Sequence, residues 1–535
     1  MMNKTVLIGL DGATFTILDH LMANGTMPFL KTLVDQGVRA GLRSTPNPLT
    51  PPAWISMITG RTPGNHGVFD FIWAEQRKAD HYFTIYNFRD IRCETIWSMV
   101  NRSGGRSGSL NFTMMAPPPE VSGYIVPGLV SWKHMRRNIY PRDLYEELKN
   151  VPDFNVKELA WDFDLEKKAE QGIPEDEYEN WVRFHIRREK QWCDALLYLM
   201  QHRPCDLTAI LFDGTDKILH MGWRFLDQRY FPENPSVWEK KIRDLCLEFF
   251  RELDGFLSRI VSAAGPDARV FLASDHGFGP SWFTFRVNSW LHERGYLVWR
   301  NLEDFAAAER EKAKRLVDKH FVLLDWDKTT AYARTVTSNG IYINVAKEPG
   351  QPGVPAEQYK SFRAGLIEEL LTVREPETGT PIIKKIMTRE EAFPGPHNEQ
   401  APDLTLVMED HSFISIVNKT PSIVQRPEIA GTHYPEGIFI AHGPGINKGC
   451  QLAPLSIVDV APSLLYSLGL AIPRDMDGKL ASGIFAESYT GQHPCTIGPP
   501  TVNPDTYVAK TKPDEPSPEE EKLIFEQFKA LGYME

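Results

Sequence analysis

The sequence predicts an α/β protein built on a mostly parallel central sheet with long inserted segments. Three stretches carry that expectation. Val6–Leu10, Leu207–Phe212 and Val270–Ala273 are short, continuous apolar runs. Such runs suit strands buried on both faces, in a sheet covered by helices on each side. Each run leads into an acid: Asp11, Asp213 and, after Ser274, Asp275. Open α/β sheets build their sites beyond the carboxyl ends of such strands.

Bulk composition narrows the function classes. The chain has 535 residues, 42% hydrophobic and 24% charged, ordinary for a globular protein. Length suggests about three or four domain-sized units, or one large α/β unit with insertions. A formal net charge of −11 argues against a broadly basic nucleic-acid surface, though not against a local anion pocket. The six cysteines are scattered with no CxxC pair, so neither a disulfide framework nor a cysteine zinc site is expected. Residues 1–4 run straight into the first strand, too short a lead for a signal-peptide core. No run approaches the ~18 apolar residues of a membrane span. The expectation is a soluble, cytoplasmic protein.

After the first strand, Asp11-Gly12 opens a helical pattern with Leu18, Leu21 and Met22, closed by Gly25. Pro28 starts a second helix through Phe29, Leu30, Leu33 and Val34, stopped by Gly37. A strand, turn and helix with the acid at the turn fits the first unit of a doubly wound sheet. Asp11 could equally cap the next helix.

Pro46, Pro48, Pro51 and Pro52 make the following loop rigid. Thr50 precedes a helix over Ala53–Thr59 and reads as its N-cap, with Pro51 at the first helical position. A hydroxyl beside the free N–H groups of a helix start is also well placed to attack an anion. Both roles are compatible. Ser56, inside the helix, is a poorer nucleophile.

Residues 72–205 read as an inserted cap with its own structure. Aromatics crowd Trp73–Tyr86, a helix over Ile96–Val100 leads through Ser103-Gly104-Gly105 to a strand at Ser107–Asn111, and Glu177–Met200 is helical. Trp181, Phe184, Trp192, Leu196 and Leu199 share one face there, which suits core or lid packing.

The strand Leu207–Phe212 is followed by Asp216 and His220. Their i, i+4 spacing places both on one face of a helical turn, a geometry that suits two ligands on one metal. Glu239–Ala264 is a long amphipathic helix. Asp275 and His276 follow the next strand, with Gly277-Phe278-Gly279 read as a tight exit turn. Val287–Arg300 suggests a helix and short strand, 303–319 a charged helix, Ala331–Val345 strands, and Glu357–Val373 a helix. Residues 374–404 read as an exposed excursion and Asp403–Val407 as a strand. Within Gly431–Ile440, His433 falls in a turn just before a strand, and Ile457–Leu468 is the last helix of the main body. Ser517-Pro518-Glu519-Glu520 forms a capping box for a short terminal helix. The expected division is a catalytic core at 1–71, 206–300 and 405–490, insertions at 72–205 and 301–404, and a tail at 491–535.

The acids and histidines together form two sets of metal ligands drawn from strand ends and turns. Carboxylate and imidazole suit zinc, and less specifically manganese or iron. Two such ions ~3.5–4 Å apart clamp the attacking and leaving oxygens of an in-line displacement. That is chemistry for phosphoryl transfer.

The order Asp11, Thr50, Asp216-x-x-x-His220, Asp275-His276, His433 resembles the alkaline phosphatase superfamily, most closely its type I phosphodiesterase/nucleotide pyrophosphatase branch. The match covers Val6–Gly67, Ala209–Phe278 and Thr432–Gly469, about a third of the chain. The resemblance implies an α/β/α sandwich carrying inserted cap segments. It implies one metal site of Asp216, His220 and His433, and another of Asp11, Asp275, His276 and the Thr50 oxygen. It makes Thr50 a nucleophile that becomes a phospho-threonine, and a small phosphate ester or nucleotide the substrate.

One position departs from the pattern. In the nucleotide pyrophosphatases an asparagine shortly after the His-Gly element helps hold a phosphoryl oxygen. Phe71 stands there. Lys217, Arg61 or Asn47 could supply the missing donor, and the sequence does not choose between them. A sulfatase would need Cys or Ser in a C/S-x-P-x-R signature, but Thr50 and Trp54 occupy its ends. A cofactor-independent phosphoglycerate mutase would use a serine. A phosphomonoesterase on the same two-metal site remains an alternative, as does a silent binding protein that keeps the fold.

Overall fold

The computed structural model describes residues 2–77, 80–160, 177–301, 303 and 323–502. Alternation along its first strand sets the architecture. In β1 (Thr5–Leu10), Val6, Ile8 and Leu10 join one buried cluster while Leu7 joins another. Successive strand side chains point to opposite faces, so a strand buried throughout separates two cores.

The next strands are β2 (Val38–Arg43), the hairpin β3 (Ile72–Arg77) and β4 (Asp80–Ile85), β5 (Ser107–Leu110) and β6 (Gly123–Val126). Then come β7 (Leu207–Phe212), β8 (Arg269–Ala273), β9 (Gly277–Phe285), β10 (Ala331–Tyr332) and β11 (Gly340–Ile343). Next are β12 (Ile383–Thr388), β13 (Leu404–Met408), β14 (Ile423–Tyr434), β15 (Glu436–His442), β16 (Cys450–Gln451) and β17 (Leu455–Ser456), and the short pair β18 (Ile472–Pro473) and β19 (Ile497–Gly498) comes last. The central sheet has the order β16-β2-β15-β8-β1-β7-β5-β6, with β17 also paired to β2. Its pairings are parallel except those made by β15.

One face is covered by α1 (Phe15–Ala23), α2 (Pro28–Gln36) and three later helices. The other carries α3 (Thr50–Thr59) and α4 (Ile96–Arg102). The later helices on the first face are α5 (Tyr178–His202), α6 (Gly214–Leu226) and α7 (Val237–Ala264), and α8 (Val460–Ser467) completes the second. This is the expected α/β/α sandwich. In α7, a Ser236–Glu239 capping box closes the first turn, and Ile242, Leu245, Phe249, Leu253 and Leu257 recur at helical spacing on the buried face.

The expected boundaries shift. Strands β5 and β6 lie within 72–205 but extend the central sheet beside β7, and α5 packs in the same core as α7. Residues 72–205 are therefore not a separate cap. Strand β13 pairs with β11 and β12 in a small four-stranded sheet with its own apolar cluster, so the second unit runs past residue 404. Residues 374–404 contain β12 rather than only an excursion. A strand's own pattern records that it is buried, not which sheet it joins.

Three local expectations also change. Gly277 and Gly279 begin β9 instead of forming a turn. A Cβ at Gly277 would lie 1.9 Å from the Glu436 carbonyl, and one at Gly279 would lie 2.3 Å from the Tyr434 ring. Close strand approach, not a turn, requires these glycines. His433 sits within β14, paired opposite Phe278. Leu49 is the N-cap of α3, and Thr50 is its first helical residue. The terminal helix beyond Ser517 and nearly all of 303–319 fall outside the described residues.

Candidate active site

The site lies at the carboxyl ends of β1, β7 and β8. Asp11 follows β1, Asp216 and His220 sit on the first turns of α6 after β7, and Asp275 and His276 follow β8. The β9–β14 ladder carries His433 across the same end of the sheet, where its ring stacks on His276 with centroids 3.6 Å apart.

Asp216, His276 and His433 form one compact donor group, and Asp11, Asp275 and His276 form another, each with ligand atoms within 4.8 Å of one another. His220 Nε2 lies 3.1 Å from His433 Nε2 and 3.4 Å from Asp216 Oδ1. Thr50 Oγ1 lies 3.5 Å from His276 Nε2. All seven residues that the sequence singles out as ligands thus meet in one place, with His276 between the two groups.

Backbone contacts fix the tautomers. His220 Nδ1 donates to the Gly431 carbonyl, His276 Nδ1 to that of Gly277, and His433 Nδ1 to that of Pro48. A carbonyl only accepts, so each Nδ1 carries its proton, and in the neutral ring Nε2 is a lone pair. Those lone pairs face carboxylate oxygens. Asp11 Oδ1 and Asp275 Oδ2 are buried with no hydrogen-bond partner among the described residues. Acceptors facing acceptors in a buried site fit divalent cations, which such second-contact carbonyls also orient for.

Burial pushes the carboxyls of Asp11 and Asp275 up, Asp275 to about 8, with the Asp11–Asp275 proximity adding to the rise at Asp11. Burial acts in the same sense on Asp216, but His220 and Lys217 outweigh it and hold that carboxyl well below its usual range. Burial lowers both His276 and His433, keeping their imidazoles neutral. Trp54 Nε1 points at Asp11 Oδ2 from 3.4 Å, tying α3 to the end of β1.

A narrow cleft opens beside Asp11 and Thr50. Phe71, Lys217 and Asp213 line it, together with Asn111, Thr113 and Leu129 from the loops after β5 and β6. Lys217 is the candidate donor that reaches this cleft, where its Nζ lies 3.2 Å from Asp216 Oδ2. Arg61 is instead ion-paired to Asp475 and Asp477, and Asn47 Nδ2 donates to the Thr337 carbonyl at 2.8 Å. Sequence reasoning noted Asp213 after its strand but gave no role to it, to Asn111 or to Thr113. A signal existed for two of them: Asn111 and Asp213 are the first residues after β5 and β7, as Asp11 is after β1. Asp213 also accepts hydrogen bonds from Asn111 and from the buried Arg188 of α5.

Fold and donor set define a class, the alkaline-phosphatase-like hydrolases. Within it, the chain belongs to the type I phosphodiesterase / nucleotide pyrophosphatase family, whose model matches residues 5–435. It is a phosphoryl hydrolase of the phosphodiesterase/pyrophosphatase type. Among solved structures, phosphonoacetate hydrolase from Sinorhizobium meliloti in complex with phosphonoformate aligns with a TM-score of 0.51 at 16% identity, over 87% of this chain and 95% of that one. Murine ectonucleotide pyrophosphatase / phosphodiesterase 5 in complex with AMP aligns with a TM-score of 0.46 at 14% identity, over 88% and 96%. No curated protein matches the sequence. Among the described residues, no helix is long and apolar enough to cross a membrane.

Proposed function

We propose that the chain hydrolyses small phosphate diesters, with Thr50 as nucleophile and two zinc ions held by Asp11, Asp216, His220, Asp275, His276 and His433. The observation that carries this reading is the convergence of lone-pair Nε2 atoms and unpartnered carboxylate oxygens around the Thr50 hydroxyl. The donor set suits zinc, with manganese or iron as lesser fits. Bound there, such ions act as Lewis acids that lower the pKa of a hydroxyl and neutralise phosphoryl charge.

Thr50 Oγ1 gives up its proton and attacks phosphorus. The bond to the leaving alcohol's oxygen breaks in line, and that oxygen departs with the electron pair and takes up a proton. Hydrolysis of the resulting phospho-threonine returns Thr50 and releases the phosphate product. Of the first helical residues of α3 only Thr50 offers a free backbone N–H, since Pro51 and Pro52 have none and the Ala53 N–H bonds the Leu49 carbonyl, so the phosphoryl donors must come chiefly from side chains. Lys217 supplies the donor that Phe71 lacks, which its place in the cleft supports. All six cysteines are free thiols, which supports a reducing compartment such as the cytoplasm.

The test pairs a metal count per chain with assays of bis-p-nitrophenyl phosphate and p-nitrophenyl phosphate. Two ions with diester preference are expected. Monoester preference would move the reading to a phosphomonoesterase. Fewer than one ion, with no activity on supplementation, would favour a silent binding protein.

A further inference from the structure

The cleft beside Thr50 has a wall that the steps above leave unused. It stands over the ends of β5 and β6, from the loops carrying Asn111, Thr113 and Leu129. Three residues of these loops hold left-handed backbone without being glycine: Asn111 at φ 64°, Met114 at φ 60° and Leu129 at φ 56°. A bulky side chain there is strained, and such strain collects at binding and catalytic sites.

Asn111 is the fixed post of this wall. Its Nδ2 donates to the Leu211 carbonyl at 2.8 Å and to Asp213 Oδ1 at 2.9 Å. Gly128 passes so close that a Cβ there would lie 2.6 Å from Asn111 Oδ1. Thr113 differs. It is 3% exposed, it lines the cleft, and its Oγ1 has no hydrogen-bond partner among the described residues. An unpaired buried hydroxyl costs stability, so its presence at a cleft calls for a ligand atom.

The neighbours narrow the ligand's chemistry. Phe71 and Leu129 offer apolar surface. Asp213, which also lines the cleft, is already engaged by Arg188 and Asn111, so it offers an incoming substituent no open charged partner. We propose that this wall is the subsite for a neutral, oxygen-bearing ester substituent, with Thr113 donating to one of its oxygens and Phe71 and Leu129 packing its apolar face. The proposal rests on the diesterase reading above and names where its leaving or retained alcohol group sits.

The test measures equilibrium binding by calorimetry on the metal-loaded full chain in a Thr50→Ala background, so that no turnover intervenes. The probes are bis-p-nitrophenyl phosphate and inorganic phosphate, which has no substituent. Thr113→Val should weaken the diester by about tenfold or more and leave phosphate within about twofold. Thr113→Ser should restore diester binding. Because the lost hydroxyl had no partner, Thr113→Val should melt no lower than its parent. Unchanged diester binding, or equal weakening of both probes, overturns the subsite. Turnover of the diester by the unmutated chain is measured alongside. Diester binding that depends on Thr113, without any ester cleavage, would overturn the diesterase reading and leave the subsite standing.

Discussion

Replacing Asp275 by Asn should stabilise the metal-free protein in alkaline solution. Asp275 is fully buried, its Oδ1 accepts the Gly12 N–H at 3.2 Å, and Oδ2 has no hydrogen-bond partner among the described residues. Burial raises its carboxyl from the ordinary 3.8 to about 8. The folded chain therefore favours the carboxylic acid over the carboxylate. The stability this group contributes is fully present below pH 3.8 and is lost as pH rises through about 8. About four pKa units, at ~1.36 kcal/mol each, put the cost of the bare carboxylate at roughly 5 kcal/mol. Asparagine keeps the shape and the acceptor for Gly12 but carries no charge, so it escapes that cost. A divalent cation inverts the order, because the carboxylate is then the form required.

The assay is thermal melting of both proteins, in chelator and in added zinc, at about pH 5 and about pH 9. In chelator the wild type should lose several degrees more than the variant between the two. One kcal/mol moves the midpoint by ~2–4 °C in domains of ~150–250 residues, and by less in a longer chain. In zinc the wild type should melt higher. The reasoning is refuted if Asp275→Asn melts lower than wild type in chelator at the alkaline pH.

Thr50→Ala should lower turnover by at least about 10³-fold while metal content stays nearly intact, and a variant within tenfold of wild type would remove Thr50 as nucleophile. His66, bonded to Ser56, is held at about 3 by burial, below its ordinary 6.5. Its contribution is present above pH 6.5 and is lost as pH falls towards about 3, at up to about 1.4 kcal/mol per pH unit. Denaturant titrations of His66→Gln should show a flatter slope over that window, and an unchanged slope would contradict the assignment. Gly277→Ala places a Cβ 1.9 Å from the Glu436 carbonyl, so the start of β9 must shift and take His276 with it. Cation affinity should fall by about tenfold or more, whereas wild-type affinity would show that the ladder does not position the ligands.

Much of the site was legible because its chemistry is local. Asp11 and Asp275 stand at the ends of apolar runs whose burial is written in their composition, and Asp216 and His220 share a helix face by spacing alone. Thr50 at a proline-marked helix start is equally local, although the cap proper is Leu49. Tertiary structure decided what depends on partners distant in the chain. Strand β5 ends like β1 and β7, yet only its pairing beside β7 brings Asn111 and Thr113 to the cleft. Gly277 and Gly279 look like turn residues until β14 and β15 approach them. The same pairing carries His433 onto His276. Among Lys217, Arg61 and Asn47, the choice rests on which side chain the fold carries to the cleft. Periodicity and capping arise from neighbours a few residues away, and so they are written in sequence. Sheet order and donor availability arise from contacts between distant segments, which fix themselves only when the layers pack.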